Sequence, residues 1–192
     1  MESMRRDLED VAAAIRSEIR LEAEEAEREA AISAAMHRDL SDVARELMAH
    51  GDTVAVDVGE RIFVGPVMGV AADLVTVQVG SWRVDVNLKS VRRMRVLKRA
   101  RSGGQRSLGG AASFRARLLE LQLSGQPIEV GMAGSDEPII GPVALVGCDH
   151  VAIGEEVGPE WFLPLQSLAF VRTRDPKGDL RADRVCQPDR GC

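Results

Sequence analysis

The sequence predicts a mainly β protein with an N-terminal α-helix and two tandem five-stranded barrels, each preceded by a short helix. The first observation behind this prediction is a change of period. Apolar residues recur every three or four positions in residues 4–31, as on a helix, whereas valines alternate with polar residues after residue 53, as on half-buried strands. The second observation is that a set of landmark residues occurs twice in the same order.

These landmarks predict an internal repeat. The matches are Glu46, Leu47 and Gly51 with Glu120, Leu121 and Gly125, then Gly65, Pro66 and Asp73 with Gly141, Pro142 and Asp149, then Trp82 and Arg95 with Trp161 and Arg172. Each copy spans roughly 55–60 residues, a size that suits a small, strongly bent barrel. We therefore expect Gly65 to superpose on Gly141, and Trp82 to superpose on Trp161.

The repeat divides the chain into five parts. They are an acidic helix (1–40), a first barrel (41–97, here the first segment), a flexible basic linker (98–113), a second barrel (114–173, here the second segment) and a disordered tail (174–192). The linker and the tail are assigned from their polar composition and their lack of periodicity.

Glycine and proline locate the turns. Gly51 fits the C-terminal end of a helix, and Gly59 and Gly80 fit tight hairpins. Pro66 and Pro142 each follow a glycine inside a predicted strand, where proline is tolerated only at an edge or a bulge. We expect a bend at both places that lets one strand serve two sides of a barrel.

The N-terminal helix has an apolar stripe opposite a face rich in glutamate. The stripe residues that we predict to contact another subunit are Leu8, Val11, Ile15 and Ile19. A narrow stripe of this kind favours packing on a second helix or on a barrel. Small barrels also have edge strands that must be paired or covered, so the sequence predicts a homo-oligomer.

Charge is distributed unevenly along the chain, which has a net charge of −5. Residues 1–50 contain thirteen acids and seven bases, whereas residues 87–119 contain ten bases and no acid. This asymmetry is compatible with a nucleic-acid contact, with docking of the acidic helix on the basic stretch, or with a solvated linker. The candidate phosphate-binding residues are Lys89, Arg92, Arg93, Arg95, Lys98, Arg99, Arg101 and Arg106.

The order of helix and strands resembles the Sm-like (LSm/Hfq-type) barrel, which is also SH3-like in shape. The residues that carry the resemblance are a "G-x-x-V-x-V" stretch from Gly51, a central "G-x-V" from Gly65 and a closing "V-x-x-x-R-V" from Val91. The resemblance covers residues 41–97 and about 114–173, and it implies edge-strand assembly and RNA binding. The family's Asp-x-x-x-Asn and Arg-Gly elements have no counterpart here. "WFLPLQSLAFVR" also resembles the ribosome-maturation PRC barrel, which lacks the leading helix.

No group of residues is spaced as a catalytic or metal-binding site. The three histidines are isolated, the three cysteines form no CxxC pair, and "RSGGQRSLGG" lacks the ending of a phosphate-binding loop. An enzyme, a metal or another cofactor is therefore not expected. Asp73 and Asp149 are expected to cap hairpin turns, and Trp82 and Trp161 to pack beneath neighbouring turns.

Two functions remain open from the sequence. One is a non-catalytic Sm-like oligomer that associates with RNA through its basic central stretch. The alternative is a protein–protein interaction scaffold that binds no nucleic acid. No apolar run approaches the ~20 residues of a membrane span, and residues 1–18 are too polar for a signal peptide, so a cytoplasmic location without membrane contact is expected.

Overall fold

The computed structural model describes residues 2–101, 103–104, 110–135, 137–154 and 160–174, and side chains from residue 15 onwards within these ranges. The helices of these ranges are α1 (Glu2–Met36), α2 (Leu40–His50) and α3 (Phe114–Ser124). The chain divides into two compact units, Met1–Asp39 and Leu40–Cys192. Among the described helices, none has both the length and the apolar character needed to cross a membrane. The predicted tail lies outside the described residues, apart from Arg174 at its start.

The first segment forms an antiparallel sheet. Its strands are β1 (Thr53–Val58), β2 (Arg61–Val70), β3 (Leu74–Val79), β4 (Trp82–Asn87) and β5 (Val91–Lys98). They pair in the order β5-β1-β2-β3-β4. Gly59 and Gly80 have φ angles of 62° and 58° and form two-residue hairpin turns, as predicted.

The second segment continues this sheet and adds a smaller one. Its strands are β6 (Ile128–Met132), β7 (Ile139–Gly141), β8 (Val143–Val146), β9 (His150–Gly154), β10 (Glu160–Pro164) and β11 (Leu168–Arg174). The larger sheet has the order β5-β1-β2-β3-β4-β11-β6-β7, and the smaller has the order β10-β9-β8. The mainly β architecture with an N-terminal helix is therefore confirmed.

No sheet formed by the described residues closes on itself, so closed five-stranded barrels are not observed in that part of the chain. The physical reason in the first segment is that the free side of β4 pairs with β11 instead of with β5. The sheet of the first segment thereby extends into the second. In the second segment, Pro142 lies between β7 and β8, which belong to different sheets.

Gly65 and Pro66 lie where β2 changes partner. The part of β2 before Val67 pairs with β1, and the part from Val67 onwards pairs with β3, as the bend prediction required. A Cβ on Gly65 would lie 1.8 Å from the carbonyl oxygen of Gln78. The close approach of two backbones therefore requires glycine at this position.

Each segment contributes most of one apolar core, and each core also includes residues of the other segment. Seven valines of β1, β3 and β4 belong to the first core, together with Leu47 of α2. Leu118 of α3 packs with β6, β9 and β11 in the second core. Ala169 and Phe170 of β11 belong to the first core, and Leu74 of β3 belongs to the second. The two segments are thus linked by buried side chains that each contributes to the core of the other.

The register of the strands decides which residues occupy matching positions. Val54 pairs with Gly65 and Ile128 pairs with Gly141, in agreement with the predicted match of the two glycines. The match of Trp82 with Trp161 is wrong. Val77, which corresponds to Ile153, pairs with Val84, whereas Ile153 pairs with Trp161. Trp161 therefore stands at the position of Val84, because the sequence has one residue more between Ile153 and Trp161 than between Val77 and Val84.

Candidate interaction surface

Strands β4 and β11 join the two segments through antiparallel pairing. The pairs run from Val86 opposite Phe170 to Trp82 opposite Arg174. On its other side, β11 pairs with β6. We call this β4–β11 contact, together with the part of α3 that lies on β4, the internal joint.

A buried ion pair lies at the centre of the internal joint. Asp85 of β4 is completely buried, and its Oδ2 accepts a hydrogen bond of 2.7 Å from Nε of Arg117 on α3. Its Oδ1 accepts a 2.6 Å hydrogen bond from the hydroxyl of Thr76. The side chain of Arg117 is 13% exposed and also donates to Glu120 at 2.9 Å. Both groups of the pair are therefore hydrogen-bonded and largely removed from water.

The charge state of Arg117 follows from these contacts. Burial by itself lowers the pKa of the guanidinium, but the negative charge of Asp85 and the hydrogen bonds to Asp85 and Glu120 outweigh burial and raise the pKa above its usual value. Arg117 is a permanent cation here. A carboxylate is the group that can lie opposite it without leaving a buried charge unpaired.

Aromatic side chains hold the two flanks of the internal joint. The guanidinium carbon of Arg172 lies 3.9 Å from the centre of the Trp82 ring, a cation–π distance. The rings of Phe63 and Phe170 meet edge to face with their centres 4.8 Å apart. Trp82 is therefore covered by arginine from β11 and does not pack beneath a turn.

Polar contacts fix the second segment to the ends of β3 and β4. The side chain of Asn87 donates to the carbonyl of Leu168 at 3.1 Å. Asp73 Oδ1 accepts from the backbone N–H of Phe114 at 2.8 Å, at the first turn of α3. The prediction that Asp73 caps a hairpin turn is therefore wrong, because its side chain satisfies a free N–H group of a helix N-terminus.

A cleft of about 670 Å³ lies beside the ion pair. It is bounded by β2, β3 and β4 on one side and by α3 and the end of β11 on the other. Arg83, Arg117 and Arg174 line it together with Glu120. Arg83 and Arg117 both contact Asp85, and Arg117 also contacts Glu120, so the positive charges of Arg83 and Arg117 are largely compensated by carboxylates of the protein.

The structure divides the candidate phosphate-binding residues into two groups. Arg93, Arg99 and Arg92 lie 2.6, 3.5 and 3.7 Å from carboxylate oxygens of Asp57, Asp52 and Glu60, respectively. Asp52 and Asp57 are buried, whereas the side chains of Arg93, Arg99 and Arg92 are 63%, 71% and 64% exposed. Three of the predicted residues are thus exposed arginines with a carboxylate of the same chain as partner.

Four other basic candidates are also exposed but form no ion pair with a described residue. Lys89 precedes β5, Arg95 and Lys98 lie on β5, and Arg101 follows it. Within the described ranges, no carboxylate lies at ion-pair distance from these four side chains. Arg106 lies outside the described residues.

The apolar stripe of α1 lies in the first compact unit. Ile15 and Ile19 are 51% and 60% exposed, while the side chains of Leu8 and Val11 lie outside the described ones. Exposure of two isoleucines one helical turn apart leaves their apolar face open to a partner. The role of the stripe in oligomerisation stays a prediction.

Among the described residues, four strands have only one hydrogen-bonded neighbour each: β5, β7, β8 and β10. Strands β7 and β8 are the short pieces on either side of Pro142, so the two long end strands are β5, which pairs with β1, and β10, which pairs with β9. We call them the outer strands. On β10, Trp161 and Phe162 are 51% and 61% exposed, and on β5, Val96 and Leu97 are 37% and 50% exposed. Unpaired backbone groups beside exposed apolar side chains form a surface suited to pairing with another strand.

Acidic and thiol groups are not gathered into a metal site in the described part of the chain, where no three His, Cys, Asp or Glu side chains are close enough to hold an ion. Cys148 is exposed. Asp149 Oδ1 lies 2.8 Å from the imidazole of His150, and this hydrogen bond, with the charge on the imidazolium, lowers the pKa of Asp149.

The Asp85–Arg117 pair had no signal in the sequence. Asp85 alternates with valines, as a solvent-facing residue on a strand does, and Arg117 looks like one more base of the basic stretch. The contact arises because α3 of the second segment covers the outer face of β4. No model of a known protein family matches the sequence, and no curated protein matches it either.

Proposed function

We propose that this protein is a non-catalytic, self-assembling scaffold built from two copies of an Sm-like unit. The observation that carries the proposal is the β4–β11 pairing. It joins the segments by edge-strand contact, and the outer strands β5 and β10 have no second partner strand in the described part of the chain. Such strands bind further strands readily.

Equivalent hydrogen bonds support the two-copy interpretation. The backbone N–H of Ala71 donates to Leu74 and that of Gly147 donates to His150, both at 2.8 Å. The N–H of Leu88 donates to Asp73 at 2.9 Å, and that of Leu165 donates to Asp149 at 2.7 Å. Gly51 and Gly125, with φ angles of 78° and 63°, end the two short helices.

Self-assembly is tested by light scattering of the full chain during size-exclusion chromatography. We expect a mass that is a multiple of 20.8 kDa at micromolar concentration. The variant Ile15→Asp/Ile19→Asp should have a lower mass if the α1 stripe adds to assembly, because a buried unpaired carboxylate is unfavourable. Glu24→Gln/Glu25→Gln, which changes the opposite face of α1, serves as the control. A full chain that elutes as a monomer would refute the scaffold.

RNA association is the second candidate function, and the exposed bases beside and on β5 favour it. Replacing Lys89, Lys98 and Arg101 with glutamine should weaken binding to unrelated single-stranded RNAs to a similar degree. It should also lower the salt dependence by about 0.7 in log–log slope for each phosphate that the variant no longer neutralises. Stability should not change, because these side chains have no acidic partner in the described part of the chain.

The matched control for the RNA experiment removes the same number of charges from α1. Arg16, Arg20 and Arg28 are exposed, and changing them to glutamine should leave the binding and its salt dependence as they are in the parent. Binding is measured by fluorescence anisotropy at several salt concentrations. If the parent binds no RNA at physiological salt, RNA association is rejected and the scaffold alone stands.

A further inference from the structure

The two outer strands correspond to the two strands of the internal joint. Leu88 and Leu165 mark the same position, because each donates its N–H to the carbonyl of an equivalent aspartate. Arg95 of β5 follows Leu88 by seven positions, as Arg172 of β11 follows Leu165. Strand β5 is therefore the counterpart of β11, and β10 is the counterpart of β4.

The same anchors locate the counterparts of the buried ion pair. Asp85 precedes Leu88 by three positions, and Phe162 precedes Leu165 by three. On the strand beside them, Thr76 lies opposite Asp85 and Ala152 lies opposite Phe162. Phe162 thus occupies the position of Asp85.

Helix α2 supplies the counterpart of Arg117. Gly51 follows Val43 by eight positions, and Gly125 follows Arg117 by eight. Both glycines donate their N–H to the carbonyl of a leucine four residues earlier, which fixes the alignment of the two helices. Val43 therefore occupies the position of Arg117.

At the positions where the internal joint holds an ion pair, β10 and α2 thus carry apolar side chains. Phe162 is 61% exposed and Val43 is 36% exposed. Trp161 occupies the position of Val84, and Val84 lies opposite Arg172 in the internal joint. If β10 paired with a β5 strand in the same way, Trp161 would lie opposite Arg95, the counterpart of Arg172. Arginine and tryptophan already pair in the internal joint, and Arg95 has no acidic partner among the described residues.

We propose that chains join head to tail, with β5 of one chain pairing with β10 of the next and Val43 of the first packing on Phe162 of the second. This inference rests on the proposed self-assembling scaffold and specifies its contact. Each chain uses a different surface on each side, so the contact is heterologous and links chains into a ring or a filament.

The two kinds of joint do not interchange. Placing Phe162 beneath Arg117 would leave a guanidinium without its carboxylate, and placing Asp85 beneath Val43 would leave a buried carboxylate unpaired. A second difference between the two joints also prevents them from interchanging. Phe170, which packs on Phe63 in the internal joint, corresponds to Arg93, which is paired with Asp57. Positions that are charged in the internal joint are thus apolar in the contact between chains, and the reverse holds for Phe170 and Arg93. This difference selects the correct partner surface.

The test uses two single variants of the full chain, Val43→Arg and Phe162→Asp. Each should shift assembly to at least about tenfold higher concentration, because each places a charge against an apolar partner. Both positions are exposed, so the circular dichroism spectrum and the Tm of each variant should match those of the parent. A 1:1 mixture of the two variants should assemble again. In the mixture the new arginine meets the new aspartate at one contact, and Val43 meets Phe162 at the other.

Mass is measured by light scattering over a concentration series. Substituting Leu123→Arg, at a site on α3 that is 89% exposed, is the control and should leave assembly unchanged. If both single variants assemble like the parent, the head-to-tail contact is refuted while the scaffold stands. Single variants that fail to assemble and are not restored by mixing would show that the two positions do not meet, which also refutes the contact. A monomeric parent refutes the scaffold and the contact together.

Discussion

Replacing Arg117 with leucine is expected to lower the free energy of unfolding by about 3–5 kcal/mol. Asp85 is completely buried, and it would lose the cation that lies 2.7 Å from its carboxylate. Thr76 and Arg83 would remain as hydrogen-bond donors, but the Arg83 contact is long, at 3.4 Å, and its side chain is 40% exposed. Urea unfolding followed by circular dichroism measures the loss.

The control for this experiment is Glu120→Gln, which removes the other carboxylate bound to Arg117. Glu120 is half exposed, so its contribution should be within about 1 kcal/mol. Asp85→Asn should lie between the two variants, because an amide keeps a hydrogen-bond acceptor but loses the charge. If Arg117→Leu is no less stable than Glu120→Gln, the ion pair does not stabilise the internal joint.

A second large effect is expected from Gly65→Ala. The added methyl group would lie 1.8 Å from the carbonyl oxygen of Gln78 and 2.8 Å from its carbonyl carbon. These are backbone atoms of a paired strand, so β2 and β3 would have to separate where β2 changes partner. Overpacking of this kind should cost about 3 kcal/mol or more, or prevent folding.

Gly69→Ala on the same strand is the matched control. Its added methyl group would meet the Thr76 side chain at 3.6 Å, an ordinary van der Waals distance. Its stability should lie within about 1 kcal/mol of the parent. Equal melting temperatures for the two alanine variants, measured by differential scanning calorimetry, would contradict the role of Gly65.

Local patterns were sufficient to predict most elements of the fold. The period of two located β1, β3 and β4, and the glycines located the hairpin turns, because backbone geometry at a tight turn depends on the turn residues themselves. Helix α1 was predicted to end near residue 31 and ends at Met36. Alanines there leave the periodicity weak while favouring the helix.

The pairing of β4 with β11 could not be predicted, because the backbone groups of an edge strand can pair with any strand and Asp85, which binds Arg117 across the joint, resembles a solvent-facing residue in the sequence. The match of Trp82 with Trp161 illustrates the same limit. A rare residue invites alignment, but the hydrogen bonds of Ile153 place Trp161 at the position of Val84. The basic stretch was visible in composition, whereas its division into residues with and without an acidic partner depends on Asp52, Asp57 and Glu60, which lie elsewhere in the sequence.

The position of β11 in the sheet has a consequence for synthesis of the chain on the ribosome. This strand lies between β4 and β6, although it is the last strand of the described residues. At about 5–20 residues per second, the 80 residues from 88 to 167 take about 4–16 s to make. Throughout that interval the edge of β4, with its valines, is complete but uncovered. Chains that end before Leu168 would keep that edge open and pair with one another through it.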